Sequence, residues 1–294
     1  MYFRSGTYTG ISVDWTDLTG IRLLNFPNER PVLDGEYRFG QLAALRDGVS
    51  NVTFSGLTIT HYDNVYGNGA IDLYGAVSNV TIENNLFDAN GTDRALDHHL
   101  YFGSGSARGR ITNITVRNNT FRNAAAGNIH SFGGSNATGV VVENNRFVGG
   151  KWGILISNEG QSDWDIRNNT FVNATDSAVA LGYYARAETS PVARIRLSRN
   201  IMVASAGAFA LRVDQPQVAS GALIDLGNIF WTSGGGAPVL WAYPTNGQTL
   251  HIAAYRTVSG QGAQSLEFDP QLVDAGGSDL RPAAGSAAVG WGAS

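Results

Sequence analysis

Residues 113–121 read Asn-Ile-Thr-Val-Arg-Asn-Asn-Thr-Phe, and this unit recurs along the chain. Close copies occupy residues 79–87, 139–147 and 163–171, and weaker copies occupy residues 52–59, 195–202 and 223–230. Each copy alternates apolar and polar residues, as a half-buried strand does, and then breaks at Asn-Asn or Gly, as a turn does. A period of roughly 24 to 34 residues is typical of a repeat protein.

A second short apolar stretch stands ahead of each unit, and the rest of each period leaves room for a third strand. These stretches are residues 70–74, 99–102, 128–132, 153–156 and 178–181. One such unit cannot bury its apolar face until neighbouring coils stack on it. The pattern therefore predicts an all-β fold, a right-handed parallel β-helix solenoid with three strands per coil.

Stacked coils place equivalent residues about 4.8 Å apart, the strand spacing within a sheet. Equivalent asparagine amides are then expected to bond to one another and to turn backbone. The predicted asparagine ladder is Asn85, Asn119, Asn145, Asn169, Asn200 and Asn228. The predicted apolar stack is Phe87, Phe121, Phe147, Phe171, Met202 and Phe230. Both ladders specify the fold and leave the function open.

We expect one domain over residues 1–294, with coils up to about residue 231 and the last coil and a C-terminal cap over 232–294. Strands are predicted at 238–242 and 250–255, and a polar cap would shield the exposed strand edges. The chain begins partway into repeating sequence. We therefore expect that an upstream export signal has been removed and that the protein is secreted or periplasmic.

Composition excludes several classes of function. With 24 acidic against 20 basic residues the net charge is −4, which does not draw the whole chain to nucleic acid or anionic membrane. The absence of Cys excludes disulfides, thiolate metal sites and a cysteine nucleophile. We expect a monomer with neither nucleic acid nor membrane as partner. Nearly all basic residues are Arg, which suits recognition of carboxylates.

The repeats resemble those of the right-handed parallel β-helix superfamily, which includes pectate-lyase-like, alginate-lyase-like and uronan-epimerase proteins. The resemblance covers most of the chain. Residues 2–8 resemble the early Gly-x-Tyr strand of these proteins, and residues 268–270 with 279–290 resemble their closing segment. The resemblance implies a polysaccharide substrate, and it does not distinguish among the activities of the superfamily.

Candidate functional residues lie on the second short strand set, where side chains that alternate with buried ones should point outwards. One column of equivalent positions runs Asp72, Tyr101, His130, Leu155 and Ala180. The flanking columns contain His99 and Asn128 on one side and Arg46, Tyr74 and Phe132 on the other, with Arg212 further along the latter. Because adjacent coils are about 5 Å apart, His99, Tyr101 and His130 are close enough to surround one sugar.

These residue types suit β-elimination on an acidic polysaccharide. A uronan lyase must abstract the proton at carbon 5, protonate the leaving oxygen at carbon 4 and neutralise the carboxylate. We assign His99 or His130 as the base and Tyr101 as the acid. Arg46 or Arg94 is assigned as the carboxylate-binding group.

Further residues are candidates for substrate binding: Asp72, Tyr74, Asp97, His98, Asn128, Phe132, Lys151 and Arg212. No cofactor is required by the sequence. The resemblance implies that calcium or a Lys/Arg pair can serve as the neutraliser, and Asp72, Asp97 and Glu159 are weak calcium candidates because no compact loop of alternating acids is present.

Other functions stay open. A glycoside hydrolase would need two carboxylates, for which Asp72 and Asp97 are the candidate pair. Carbon-5 epimerisation is a variant of the same chemistry, although residues 97–99 only partly match the epimerase Asp-Pro-His-Asp motif. A non-catalytic solenoid would instead adsorb polysaccharide on exposed aromatic residues, namely Tyr74, Tyr101, Phe132, Tyr183 and Tyr184.

Overall fold

A computed structural model describes residues 1–64, 67–93, 95–132, 134–157, 160–182, 192–219, 221–244, 246–276 and 279–293. This part of the chain winds into three long β-sheets, and successive coils add one strand to each sheet in turn. Strands of adjacent coils pair in parallel. The predicted all-β solenoid with three strands per coil is confirmed.

The sheets are named in the order in which a coil visits them. The strands of sheet 1 are Tyr2–Phe3, Arg22–Asn25, Ser50–Ser55, Ser78–Glu83, Thr112–Arg117, Thr138–Glu143, Ser162–Arg167, Ala193–Ser198 and Leu223–Asp225. The strands of sheet 2 are Thr7–Thr9, Val32–Asp34, Thr58–Thr60, Leu86–Asp88, Thr120–Arg122, Arg146–Val148, Thr170–Ala174, Ile201–Ala204, Ile229–Thr232 and Leu266–Glu267. The strands of sheet 3 are Val13–Trp15, Ala43–Leu45, Gly69–Leu73, His98–Phe102, Gly127–Ser131, Trp152–Ile156, Ser177–Leu181, Phe209–Asp214, Val239–Tyr243 and Gln248–Leu250.

The predicted asparagine ladder runs through the turns between sheets 1 and 2. The side-chain oxygen of Asn145 accepts hydrogen bonds from the backbone N–H of Asn119 at 2.9 Å and from its side-chain amide at 3.0 Å. The same amide donates to the carbonyl of Ile82 at 2.8 Å. This pattern is continuous from Asn85 to Asn228. The ladder therefore satisfies buried turn backbone, as the sequence predicted.

The apolar stack lies inside the solenoid beside the ladder. The rings of Phe87, Phe121, Phe147 and Phe171 are parallel to within 15°, with centroids 4.5 to 4.9 Å apart. Met202 and Phe230 continue it in register. Such offset ring stacks add to the hydrophobic burial of each side chain, and the predicted stack is confirmed.

The C-terminal region departs from the parallel pattern. The predicted strand at 238–242 is observed as Val239–Tyr243, and Gln248–Leu250 pairs with it antiparallel. The predicted strand at 250–255 is wrong, because Ile252–Ser259 forms a helix that ends at Gly260 in the left-handed conformation. Its buried residues, Ile252 and Tyr255, are three positions apart, which is the spacing of one helix face.

One short helix and two short strands complete the described secondary structure. The helix Gln215–Ala219 follows sheet 3, and the strands Leu272–Asp274 and Asp279–Pro282 pair with each other near the C-terminus. None of the described helices has the length and apolar character needed to cross a membrane.

Candidate functional site

The central column on sheet 3 has the predicted register. Asp72 pairs with Tyr101, Tyr101 with His130, His130 with Leu155, and the column continues to Ala180. Arg212, expected in the flanking column of Arg46 and Tyr74, follows Ala180 in the central column instead. Polar and titratable groups thus occupy the earlier coils, whereas Leu155 and Ala180 belong to a small apolar cluster with Ala126 and Trp152. The column is more enclosed than the sequence suggested, because side chains of adjacent coils cover one another.

His99 does not point outwards, so this part of the prediction is wrong. Its side chain is 0% exposed, and its ring lies 5.8 Å from Phe87 and 6.0 Å from Phe121 in the internal stack. Both ring nitrogens are engaged, one with the side-chain amide of Asn90 at 2.9 Å and one with the carbonyl of Arg122 at 3.0 Å. Burial lowers the pKa of His99 to about 4. It is a neutral core residue and is unavailable as a base.

Asn128 occupies the equivalent position one coil later and is also buried. Its amide donates to the carbonyls of Gly149 and Trp152, both at 3.1 Å. It therefore supports the turn between sheets 2 and 3, and its predicted place on the outer face is wrong. Both errors share one cause: the strand pairing skips the position after the first strand residue, so His99 and Leu100 face the interior consecutively.

His98, rather than His99, joins the central column. Its Nε2 lies 2.9 Å from Nδ1 of His130, and Nε2 of His130 lies 3.0 Å from the hydroxyl oxygen of Ser157. The backbone N–H of Gly127 donates to Nδ1 of His98 at 3.2 Å. Burial lowers the pKa of His130 to about 3, and burial together with His130 holds the pKa of His98 well below its ordinary range. Both histidines are therefore neutral near pH 7.

Tyr101 lies at the centre of an aromatic group. Its ring stacks on His98 with centroids 5.9 Å apart and planes 6° apart, and Phe132 stacks on it at 6.4 Å. His130 meets the ring edge-on at 5.4 Å, and Tyr74 is tilted against it at 6.0 Å. Burial raises the pKa of Tyr101 to about 12. Its hydroxyl has no hydrogen-bond partner in the described part of the chain and is available to a ligand.

Asp72 stands beside Tyr101 on the preceding coil and is 1% exposed. Its carboxylate accepts a hydrogen bond from the N–H of Gly69 at 2.6 Å. Burial raises its pKa well above the ordinary range, and the N–H of Gly69 and the charge of Arg46 only partly oppose that rise. Burial therefore favours the protonated form of this carboxyl group and makes its ionised form a stronger base than an exposed carboxylate.

A pocket of about 330 Å³ opens next to Asp72. Its lining includes Arg38, Gln41, Arg46, Asn64, Asp72 and Tyr74. Nε of Arg46 donates to both carboxylate oxygens of Asp14, at 2.7 and 2.8 Å, while its guanidinium carbon lies 5.2 Å from the Tyr74 ring centroid. The side chain of Arg38 is exposed and has no ion-pair partner among the described residues. The pocket thus presents two cations and several amides.

Arg38 was missed by sequence reasoning. It follows the strand Val32–Asp34, in a connection to sheet 3 where no copy of the repeat aligns. No periodic signal could therefore have marked it, and only its arginine chemistry was visible in the sequence.

The remaining binding candidates do not join this group. Arg212 donates to Asp214 at 3.0 Å, and its guanidinium carbon lies 4.6 Å from the Tyr243 ring centroid, three coils beyond His130. Lys151 lies over Trp152, 4.4 Å from its ring centroid, and lines a separate groove of about 640 Å³ on the corner between sheets 2 and 3. Neither residue lines the pocket beside Asp72.

The two calcium candidates in the described part of the chain, Asp72 and Asp97, accept hydrogen bonds from different backbone groups. The side-chain oxygen Oδ2 of Asp97 accepts hydrogen bonds from the N–H groups of Thr92 at 2.9 Å and Asp93 at 2.7 Å, and burial raises the pKa of Asp97 to about 6. Asp72 is held separately by Gly69. The described ranges contain no group of three or more His, Asp and Glu side chains that could hold a metal ion. Arg94, Glu159, Tyr183 and Tyr184 lie outside the described residues.

Comparisons with known proteins identify the fold. The sequence profile described as the right-handed β-helix region matches residues 9–171. No curated protein sequence matches the chain. Solved structures with a similar course include an alginate lyase from Paenibacillus sp. strain FPU-7, with 13% identity, a TM-score of 0.43, and coverage of 85% of this chain and 91% of the lyase.

Two other solved structures belong to enzymes with different activities. The catalytic unit of an α-1,3-glucanase from Streptomyces thermodiastaticus strain HF3-3 has 14% identity and a TM-score of 0.43, and the match covers 91% of this chain and 62% of the glucanase. An iota-carrageenase has 13% identity and a TM-score of 0.32, with coverage of 87% of this chain and 53% of the carrageenase. At these identities the similarity concerns the course of the chain alone.

Proposed function

The chain belongs to the right-handed β-helix family, and on that scaffold we propose that the outer face of sheet 3 binds an acidic polysaccharide and cleaves it by β-elimination. One observation carries the proposal: Tyr101, whose hydroxyl has no hydrogen-bond partner among the described residues, pairs with Asp72 of the preceding coil, and its ring contacts the rings of His98 and His130. Phe132 adds an exposed aromatic ring beside Tyr101, and the pocket next to Asp72 contains two arginines that can bind carboxylates.

The proton transfers are assigned to Asp72 and Tyr101. The Asp72 carboxylate takes the proton from carbon 5, the double bond forms between carbons 4 and 5, and the bond from carbon 4 to the glycosidic oxygen breaks. The Tyr101 hydroxyl gives its proton to that oxygen. The raised pKa of Asp72 makes its carboxylate a stronger base than an exposed one, and the raised pKa of Tyr101 keeps its proton in place until the oxygen leaves.

The other groups are assigned to binding. Both ring nitrogens of His130 are engaged, by His98 and by Ser157, which makes it a poor base. A substrate oxygen that bonds to Nε2 of His130 must take the place of the Ser157 hydroxyl. Arg38 and Arg46 are placed to pair with the uronate carboxylate, which stabilises the charge that develops after carbon 5 loses its proton. The polymeric substrate favours action outside the cytoplasm.

A product analysis tests this function. The full chain is incubated with a panel of uronic-acid polysaccharides, with and without a chelator, and both unsaturated products and reducing ends are measured. We expect ultraviolet-absorbing unsaturated ends, and their loss in Asp72→Asn but not in the matched variant Asp165→Asn on sheet 1. Chain cleavage without unsaturated ends, or equal activity of wild type and Asp72→Asn, would refute β-elimination by this site.

A glycoside hydrolase is the second candidate, and a specific pair of carboxylates favours it. Asp14 stands in the same column as Asp72, two coils earlier, in the register Asp14, Ala44, Asp72. Two coil steps correspond to roughly 10 Å, near the upper limit of carboxyl separations in inverting enzymes. Asp97, the partner suggested by the sequence, is instead bound to the turn at Thr92 and Asp93. Reducing ends of inverted configuration would support this reading.

A further inference from the structure

The hydrogen bonds through His98 have only one consistent direction. A backbone N–H can only donate, so the Nδ1 atom of His98 that faces Gly127 must be unprotonated. A neutral imidazole carries one proton, and in His98 that proton is therefore on Nε2. This N–H points at His130, whose Nδ1 lies 2.9 Å away.

The proton position on His98 also determines the proton position on His130. Because Nδ1 of His130 accepts from His98, the single proton of neutral His130 is on Nε2, and it is donated to the hydroxyl oxygen of Ser157 at 3.0 Å. The lowered pKa values of both histidines are consistent with two neutral rings. Each hydrogen bond therefore runs in the same direction: Gly127 donates to His98, His98 to His130, and His130 to Ser157.

The packing around His98 favours the same arrangement. A Cβ atom at Gly127 would lie 3.1 Å from Nδ1 of His98 and 3.2 Å from the ring of Trp152, so glycine leaves the space in which His98 lies over the strand. Tyr101 stacks on one side of the His98 ring, and Trp152 lies 6.4 Å away. The ring is therefore held at an angle that brings Nε2 to His130.

We propose that His98 is a positioning residue that fixes His130 as its Nε2–H tautomer, so that sheet 3 presents an N–H donor beside Tyr101 to an oxygen of an anionic sugar. In the structure the Ser157 hydroxyl accepts this N–H, and the sugar oxygen would replace it. This inference rests on the proposed function for the identity of the ligand. Nε2 of His130 would donate its proton to an oxyanion or a hydroxyl oxygen, and it would not accept a proton or bind a cation.

Nitrogen NMR of the histidine side chains tests the tautomer without any activity measurement. Uniformly ¹⁵N-labelled full-length protein at pH 7 is examined through two-bond correlations between ring nitrogens and ring carbon-bound protons, with each histidine assigned by single substitution. We expect the Nε2–H pattern for both His98 and His130. A charged His130 or an Nδ1–H pattern would overturn the inference.

Two substitutions then test the role of His98. In His98→Gln the side-chain amide can still donate to His130, so we expect His130 to keep the Nε2–H pattern. In His98→Phe no donor remains, and we expect His130 to become a mixture of tautomers, with kcat on a cleaved uronan reduced about tenfold. An unchanged His130 pattern in a folded His98→Phe protein contradicts the role of His98. If His98→Phe does not fold, loss of the Nε2–H pattern in His98→Gln is the contradicting result.

The two proposals fail in different ways. If no acidic polysaccharide is cleaved but both rings show the expected tautomers, the catalytic proposal and the identity of the ligand fail, and the positioning of the His130 tautomer by His98 stands. If a uronan is cleaved while His130 carries its proton on Nδ1, the reverse holds.

Discussion

The turns between sheets 1 and 2 and the outer face of sheet 3 are built by the same coils and differ in one respect. In the turns each coil repeats Asn, so Asn119 bonds to Asn145, and in the strands of sheet 2 that follow them each coil repeats Phe, so Phe121 stacks on Phe147. On sheet 3 each coil presents a different residue, from Asp72 to Tyr101 to His130. Identical residues on adjacent coils bond to or stack on one another and stabilise the solenoid. Where adjacent coils carry different residues, groups such as the Tyr101 hydroxyl have no partner of the same kind and are free for a ligand.

The largest difference in stability is expected between substitutions of two phenylalanines, one in the internal stack and one on sheet 3. Phe147 is buried in the internal stack, and Phe132 is 42% exposed on the face of sheet 3. Phe147→Ala leaves a cavity and should lower the free energy of unfolding by about 3–5 kcal/mol, as in other buried Phe→Ala changes. Phe132→Ala should cost about 1 kcal/mol or less. Urea unfolding followed by circular dichroism measures both, and equal losses would remove the distinction between the two regions.

The next largest loss of stability is expected in the asparagine ladder. Asn145→Ala removes the acceptor of two amide groups of Asn119 and the donor to the carbonyl of Val116, so buried groups lose their partners. We expect a loss of about 3 kcal/mol in unfolding free energy. The control is the neighbouring Asn144→Gly, since Asn144 has φ of 55° and glycine adopts that conformation readily. A variant at position 145 as stable as the control would show that the ladder is dispensable.

Much of the fold could be predicted because equivalent residues recur at each coil, and recurrence alone aligned the ladders and the column of Asp72, Tyr101 and His130. The orientation of His99 could not be predicted. Simple alternation puts it outside, but the coil turns into sheet 3 just there, and two consecutive residues face the interior. The contribution of Arg38 was also hidden, because it comes from a connection with no repeated sequence.

The stability of the protein is expected to depend on pH because His99 is buried. The folded pKa of His99 is about 4, below the ordinary 6.5, so the unfolded chain takes up a proton first and stability falls as the pH drops through this interval. Between pH 6.5 and 4.5 the loss due to His99 is about 2 kcal/mol. Asp97 and Asp214, with folded pKa values of about 6, act in the opposite direction as the pH falls.

Comparison with a variant separates these contributions. His99→Gln keeps a donor and an acceptor but does not titrate, so its urea midpoint should fall less than that of the wild type between pH 6.5 and 4.5. An equal fall of the urea midpoint in the wild type and in His99→Gln would mean that His99 is not the neutral core residue described above.

The smallest effect is expected at the pocket beside Asp72. Arg38→Met removes one of the two cations there, and we expect KM for a cleaved uronan to rise about tenfold with kcat little changed, since the lost contact is made to bound substrate throughout the reaction. The matched variant is Arg196→Met on the exposed face of sheet 1, which should leave both constants unchanged. A lower kcat for Arg38→Met at unchanged KM would place Arg38 in the chemical step instead.

The rate of unsaturated-product formation by Tyr101→Phe tests the central claim most directly. The substitution removes only the hydroxyl that gives its proton to the leaving oxygen, and loss of a general acid typically costs 10² to 10⁴ in rate. The control is Tyr2→Phe on sheet 1. We predict a loss of at least about 100-fold in Tyr101→Phe, with unfolding free energy within about 0.5 kcal/mol of the wild type. A Tyr101→Phe rate equal to that of Tyr2→Phe would contradict the assignment of function to the outer face of sheet 3.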